Sequence, residues 1–598
     1  MTDRTNLAAV PLNYPHSSGP AATRPPRVWP PLLLLAMFWV AYSVLRWTEL
    51  GVGAGFFGFV ILMGGWLIEL LLIAVWWLGF SRVGRPERLL VVAAAVVGCA
   101  AAVALSHKSM YQFMFMGPGL PLVVTAWTLV LVVARSWPAG LRRAALVAAL
   151  VVSWSAFPLL RTEGLGGDMQ FALNWRWTPT AEQVYLAQRS GEPLAKPDAA
   201  AALTLQPGDW PAFRGPDRDG VQHDVSFESW ATSPPKQLWK RRIGPAWSSV
   251  AVVGDRLFTQ EQLGPNEAVV CLDAATGNTV WSQQDEARWD DTQSGPGPRA
   301  TPTFDAGRVY ALGATGILNC LDAATGDVKW TRNILTDSKT EKPNWGFSSS
   351  PLVTGGLVIV FAGGTPEKTL LAYHTDSGSP AWSAAAGKVS YVSPQLATVA
   401  GKPQVLFVSD RGLTAFDPAT GDELWIVPTS AGNPGVPQAT QPRVIGDNQV
   451  LFDAGADEGA ELVEVAHDSQ PWTATRRWVS PKFKPSFNDF VIYKDAAYGF
   501  DKLMFTCVDL KTGKPLWRGG RYGSGQVLLV TDPRGAQLVI VAENGDLVLV
   551  AADPASHREL ARFPALKGKT WNHPVIAHGK LFVRNAEEIA CYELPIKP

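Results

Sequence analysis

The 598-residue sequence has little of what a disulfide, zinc or haem protein needs. It holds five cysteines, with no Cys-x-x-Cys, no Cys-x-x-Cys-His and no adjacent Cys pair. That argues against zinc ribbons, c-type haem attachment and thioredoxin-like redox sites. It also lacks net charge: 52 Lys and Arg cancel 52 Asp and Glu, so no general polyanion binder and no nucleic-acid partner is expected. Only 17% of residues are charged against 47% hydrophobic, and there are 55 Gly and 46 Pro. Such a chain is too apolar for disorder and too rich in Gly and Pro to be mainly helical.

The neutral total hides two unlike regions. Residues 1–160 carry 11 Lys and Arg against 4 Asp and Glu, and the remainder carries the compensating excess of acid. Residues 1–30 are polar and Pro-rich without a cleavage-site pattern, and are read as a disordered cytoplasmic tail rather than a removable signal. Apolar runs at about 31–47, 53–80, 89–106, 119–134 and 144–160 predict a membrane domain of about five helices over 31–160. Arg24 and Arg27, then Arg82, Arg85 and Arg88, then Arg135, Arg142 and Arg143 fall in alternate loops. The positive-inside rule places the N-terminus in the cytoplasm and, for an odd number of spans, everything after 160 outside it. Glu69, well inside the second run, either ties helices together or serves a proton or quinone role.

The second region repeats one phrase. Cys271-Leu-Asp-Ala-Ala-Thr-Gly-Asn-Thr-Val-Trp281 returns as Cys320-Leu-Asp-Ala-Ala-Thr-Gly-Asp-Val-Lys-Trp330, as Asp417-Pro-Ala-Thr-Gly-Asp-Glu-Leu-Trp425 and as Asp509-Leu-Lys-Thr-Gly-Lys-Pro-Leu-Trp517. A variant ends at Trp382. Apolar alternation, an Asp and Thr-Gly turn, and a departing strand ending in Trp describe a β-hairpin. With Trp239, Trp478 and Phe563 there are eight markers about 46 residues apart, the length of a four-stranded propeller blade. Trp239 has a strand but no hairpin partner, and Cys591-Tyr592-Glu593-Leu594 starts a hairpin without its Trp strand. We therefore expect an all-β, eight-bladed propeller over 235–598, closed by pairing of its two ends, with 161–234 as linker and lead-in. Cys271, Cys320, Cys507 and Cys591 share one register, so blade symmetry predicts four separate buried thiols.

The Asp-x-x-Thr-Gly-x-x-x-Trp phrase resembles the tryptophan-docking repeat of pyrroloquinoline-quinone-like propellers, and Asp209-Trp-Pro-Ala-Phe-Arg-Gly-Pro216 resembles a segment that often precedes them. Five spans before such a propeller also resemble the membrane-bound quinoprotein glucose dehydrogenases. That resemblance implies a periplasmic propeller holding pyrroloquinoline quinone with Ca²⁺, oxidising sugars or alcohols and passing electrons to membrane quinone. The barrel-assembly propeller lipoprotein, in the same family, uses the fold to bind proteins. A shared fold does not choose between the two.

The innermost strands can be placed by register, because Pro302, Pro351, Pro394, Pro442 and Pro574 each precede one, with Val250 and Phe490 in the same slot. The triplets before that slot should cluster at the axis. They are Trp247-Ser248-Ser249, Arg299-Ala300-Thr301, Ser348-Ser349-Ser350, Tyr391-Val392-Ser393, Ala439-Thr440-Gln441, Phe487-Asn488-Asp489 and Trp571-Asn572-His573, with Arg521-Tyr522-Gly523-Ser524 for the remaining blade. If the axis holds a cofactor or a small polar ligand, Asp489 is the candidate base, and Arg299, Tyr391, Asn488, Trp247, Trp571 and His573 are the candidate binding residues. If it does not, these groups satisfy one another. Neither the Trp-Asp-Tyr-Asp run nor the neighbouring Cys pair of the alcohol dehydrogenases is identifiable, and the short repeat leaves little chain for active-site loops. The favoured expectation is a membrane-anchored extracytoplasmic propeller acting as a binding or scaffolding module for protein partners. A quinoprotein dehydrogenase is the alternative.

Overall fold

A computed structural model describes residues 25–47, 49–167, 169–189, 203–429, 439–455, 458–467 and 471–597, with backbone only for 46–47 and 49–60. Most of the expected 1–30 tail lies outside these. The chain forms two compact units, Met1–Arg161 and Thr162–Pro598.

In the first unit the expected five spans are corrected to three. Among the described residues, Ile61–Phe80, Arg85–Leu105 and Ala139–Leu159 are long and apolar enough to cross a membrane, whereas Trp29–Leu45 and Gly119–Ala134 are shorter apolar helices. The reason is length: the 16 residues of Gly119–Ala134 rise about 24 Å at ~1.5 Å each, short of a hydrocarbon core of ~30 Å. Part of the polar-looking 107–119 connection is itself helical, over Met110–Phe115. Glu87 is buried at the start of the 85–105 helix and takes Arg142 in a two-pronged pair, Nε to Oε1 at 2.8 Å and Nη2 to Oε2 at 2.9 Å. That pair brings two of the three arginine clusters to one end of the helical unit. Glu69 is also buried, among Trp66, Leu70 and Ile73 of its own helix and Leu120, Pro121 and Val124 of another.

The second unit is an eight-bladed propeller of antiparallel sheets. In chain order, blades 1 to 7 begin with the innermost strands Ala251–Val253, Thr303–Asp305, Leu352–Thr354, Gln395–Val399, Arg443–Ile445, Val491–Tyr493 and Gln526–Asp532. Each then continues outward in sequence order. Blade 8 is shared: Val575–Ala577, Lys580–Arg584 and Glu588–Glu593 are completed by Lys236–Arg242 from the other end, with Cys591 opposite Trp239. The expected closure by the two ends is present: Glu588–Glu593 and Lys236–Arg242 cover each other's unpaired edge. Blade 7 gains a fifth strand, Val221–His223, which pairs in parallel with Gln526–Asp532.

The repeated phrase works between blades rather than within one. The indole N–H of Trp239 donates to the carbonyl of Ala274 in blade 1, Trp281 to Ala323 in blade 2, Trp330 to Thr375 in blade 3 and Trp382 to Pro418 in blade 4. Each ring lies flat on the turn glycine of that next blade: a Cβ at Gly277 would stand 2.7 Å from Trp239, and one at Gly326 2.7 Å from Trp281. Glycine is needed there both for its positive φ and for this approach. Within its own blade each Trp faces a small residue across the strand pair, Cys271 for Trp281, Cys320 for Trp330 and Cys507 for Trp517. The four cysteines are buried free thiols, and burial raises the pKa of Cys320 to about 11 and of Cys591 to about 12.

Candidate functional site

The axis is built in layers. The last residues of the triplets form a hydrogen-bonded girdle that runs from blade to blade. The backbone N–H of Ser249 donates to Thr301 Oγ1 at 3.0 Å, that of Thr301 to Ser350 Oγ at 2.9 Å, and that of Ser350 to Ser393 Oγ at 2.9 Å. Gln441 joins through its side-chain amide to the Ser393 carbonyl, and its own N–H donates to Asp489 Oδ1 at 2.8 Å. Asp489 N–H continues to Gln526 Oε1, while Ser249 Oγ reaches back to the carbonyl of His573 in blade 8. The recurrent small polar residue is thus the acceptor that each inner strand needs for the first N–H its own sheet leaves unpaired. Gln526 is the blade 7 member. The triplet aligned there as 521–524 is corrected to Ser524-Gly525-Gln526, because Val527 fills the slot without a proline to mark it.

Below the girdle lies a plug made by 209–220. Trp210 bridges to Val252 of blade 1, the Pro211 carbonyl accepts from Phe304 N–H of blade 2, and Val221 then enters blade 7. Between these points Arg218 donates to the carbonyls of Ser350 and Pro351, and Gln395 donates to the carbonyl of Asp217. Arg214 Nη1 lies 3.2 Å from Asp489 Oδ2, and its Nη2 donates to the carbonyls of Asp219 and Phe490. Both arginines sit in the left-handed region, φ 64° and 53°, a conformation kept because it turns both guanidinium groups into the axis. His573 Nε2 is 3.4 Å from Asp489 Oδ2, and Phe213 stands edge-on to its ring. Burial, with Arg214 adding to it, pushes His573 well below the ordinary histidine range. Burial raises Asp489, against the pull of Arg214.

Above the girdle the first residues of the triplets make an aromatic and charged mouth. Trp247 and Trp571 pack with ring centres 4.9 Å apart, and Lys569 Nζ lies 4.3 Å from one ring centre and 5.1 Å from the other. Trp571 donates to Glu543 Oε1 and Trp247 to the carbonyl of Ser294. Arg299 is committed to Asp291 at 2.6 Å and to Ser294 Oγ at 2.7 Å, and burial lowers its pKa to about 10. Tyr391 and Phe487 flank Trp345, whose indole donates to Gln293 Oε1 at 2.7 Å. Asn488 turns inward, its amide donating to the carbonyl of Gly525.

The seven candidate residues thus fall in three places. Trp247, Arg299, Tyr391 and Trp571 share the mouth. Asp489 and His573 lie in the girdle facing the plug, and Asn488 braces blade 6 to blade 7. The sequence reading missed Arg214, Asp291, Trp345, Glu543 and Lys569. Arg214 sat in the lead-in phrase already singled out, and its position next to Gly215 in that phrase was the available signal. The other four lie in inter-blade loops or outer turns that carry no register.

These donors do not fit Ca²⁺ and pyrroloquinoline quinone. The candidate base Asp489 already faces the Arg214 guanidinium, and the mouth cation Arg299 has its own carboxylate in Asp291. Among the described residues no three His, Cys, Asp or Glu converge.

Burial lowers the pKa of Lys569 to about 8 from 10.5, against the opposing pull of Glu543 and Asp291. The folded protein therefore releases this proton before the unfolded chain does, and stability gains from Lys569 as pH rises from about 8 towards 10.5. Chemical denaturation across that window should show a rise that Lys569→Met removes. An identical pH slope in both proteins would refute the assignment.

A family described as outer membrane protein assembly factor BamB matches residues 231–331 and 265–519. The match spans blades 1 to 6, which are thereby similar to pyrroloquinoline-quinone-like repeats, the resemblance first carried by the Thr-Gly and Trp phrase. The solved structure of BamB from Moraxella catarrhalis is 17% identical, with 60% of this chain and 100% of that one covered at a TM-score of 0.45. Quinohemoprotein alcohol dehydrogenase from Comamonas testosteroni is 13% identical, with 67% and 82% covered at a TM-score of 0.48. No curated protein matches this sequence.

Proposed function

We propose that this is a membrane-anchored, extracytoplasmic propeller that serves as a binding or scaffolding module, offering its axial mouth to a polypeptide partner. One observation carries the reading: Asp489, the candidate base, stands 3.2 Å from Arg214 of the plug, so the carboxylate that base catalysis would need is engaged in an ion pair. The test uses the full chain in detergent with added Ca²⁺ and pyrroloquinoline quinone, followed by dye reduction with sugars and alcohols. The expected result is neither retained cofactor nor dye reduction. Stoichiometric cofactor with sugar-dependent reduction would establish the dehydrogenase instead. A photo-crosslinker at Phe487, 52% exposed at the mouth, should capture a discrete protein in native membranes.

The extracytoplasmic placement is supported by the Glu87 and Arg142 pair, which gathers arginines of two loops at one end of the helical unit, as the positive-inside rule requires of cytoplasmic loops. Alkaline phosphatase fused after Pro598 should be active and a cytoplasm-dependent reporter silent. The opposite pattern would reverse the topology.

A further inference from the structure

The mouth is not empty. Leu160–Leu165 pairs with Phe171–Trp175 in a two-stranded sheet, and residues 164–167 at the end of the first strand lie on the mouth residues. Leu165 N–H donates to the carbonyl of Gln293 at 2.9 Å, Lys569 Nζ donates to the carbonyl of Leu165 at 3.1 Å, and Gly167 N–H donates to Glu543 Oε1. All three contacts are to the main chain of 164–167. The mouth also reads glycine. A Cβ at Gly164, whose φ is 111°, would stand 2.5 Å from the Gln293 carbonyl oxygen, and one at Gly167 would overlap Ser524 Oγ. Glu543 and Lys569 are both fixed for this purpose by Trp571, which accepts the ammonium on its ring face and donates its indole N–H to the carboxylate. A carboxylate and an ammonium held on the same indole match the N–H and C=O of a tight turn as they match no apolar ligand.

We propose that the axial mouth is a peptide site specific for a glycine-bearing turn, that residues 164–167 fill it in cis, and that a partner polypeptide presenting a turn of the same kind must displace them. This rests on the binding-module reading and names the chemistry of the partner. The cap then sets the apparent affinity, because a partner binds only the fraction of molecules whose mouth is open.

The probe is the fluorescent peptide acetyl-Thr-Glu-Gly-Leu-Gly-Gly-amide, which copies 162–167, titrated by anisotropy against the full chain. The double variant Gly164→Ala, Gly167→Ala unseats the cap without touching a blade, and should bind the probe at least tenfold more tightly than wild type. Adding Glu543→Gln and Lys569→Met to it should abolish that gain. The pair Gly167→Cys and Ser524→Cys, oxidised, should lock the cap and prevent binding, with reduction restoring it. Hydrogen exchange supplies a readout independent of the probe: the amides of Leu165 and Gly167 should be protected in wild type and exposed in the unseated variant. Exchange in wild type at the rate of a free peptide, or an unseated and folded variant that binds the probe no better than wild type, overturns the proposal. Either failure leaves the cofactor titration and the Phe487 crosslink unaffected. Dye reduction with bound cofactor would instead remove the binding-module reading while leaving the cap data standing.

Discussion

A chain ending at Glu587 should yield no soluble, cooperatively folding propeller. The missing residues supply the strand between Lys580–Arg584 and Lys236–Arg242, so their loss opens two sheet edges at once and frees the N-terminal strand entirely. Ile589, Ala590, Cys591, Tyr592 and Leu594 leave the largest hydrophobic cluster, and the Lys240 and Glu588 ion pair at 2.8 Å is lost with them. At roughly 1.5–3 kcal/mol for each large buried apolar side chain the deficit is on the order of 5–10 kcal/mol, comparable with the whole stability of a domain. The measurement is denaturant unfolding of the detergent-solubilised protein with light scattering alongside. A truncated chain with an unchanged midpoint would show that the ends do not carry the closure.

Arg214→Met should lose about 3–5 kcal/mol, because it strands the Asp489 carboxylate in a site that burial closes to water. Asp489→Asn alone should cost less, since an amide oxygen can still accept from Gln441 N–H while Arg214 keeps its two carbonyl partners. The double substitution should recover most of the Arg214→Met loss. A double-mutant cycle on unfolding free energies therefore reads the coupling directly. Additive losses, with no recovery, would mean that the plug is held by its carbonyl contacts and that Asp489 faces something other than Arg214. None of the three variants should change binding at the mouth, which lies on the other side of the girdle.

The propeller and its closure were legible because they rest on repetition. A residue type that recurs once per blade has the same surroundings each time, so Trp281, Trp330 and Trp517 announce both strand register and blade number. Their real partner was less visible: the sequence suggests a hairpin ending in Trp, while the structure shows that Trp docked on the glycine of the next blade. The membrane spans were legible in kind and not in number. Apolar composition marks a run such as 119–134, but only the helix ends, set by Pro118 and Arg135, decide whether it is long enough to cross.

At the axis the division is sharper. The triplets predicted that Trp247, Arg299, Tyr391 and Trp571 gather at one place, because register is local information carried by the prolines. They did not separate the mouth from the girdle, since residues one and three of a triplet differ by a few ångströms in depth that only the assembled ring defines. Asp489 illustrates the difference. As a sequence feature it is a carboxylate where other blades place serine or threonine, which invites a chemical role. In the folded chain its partner is Arg214, 275 residues away in sequence, and no periodicity connects them. The sequence by itself determined what is periodic: the blades, the docking tryptophans, the solitary thiols and the shared eighth sheet. The tertiary structure alone decided what is not: the plug beneath Asp489 and the 164–167 turn over Glu543 and Lys569. Both come from single-copy segments outside the repeat, whose position is set by long-range hydrogen bonds and charge.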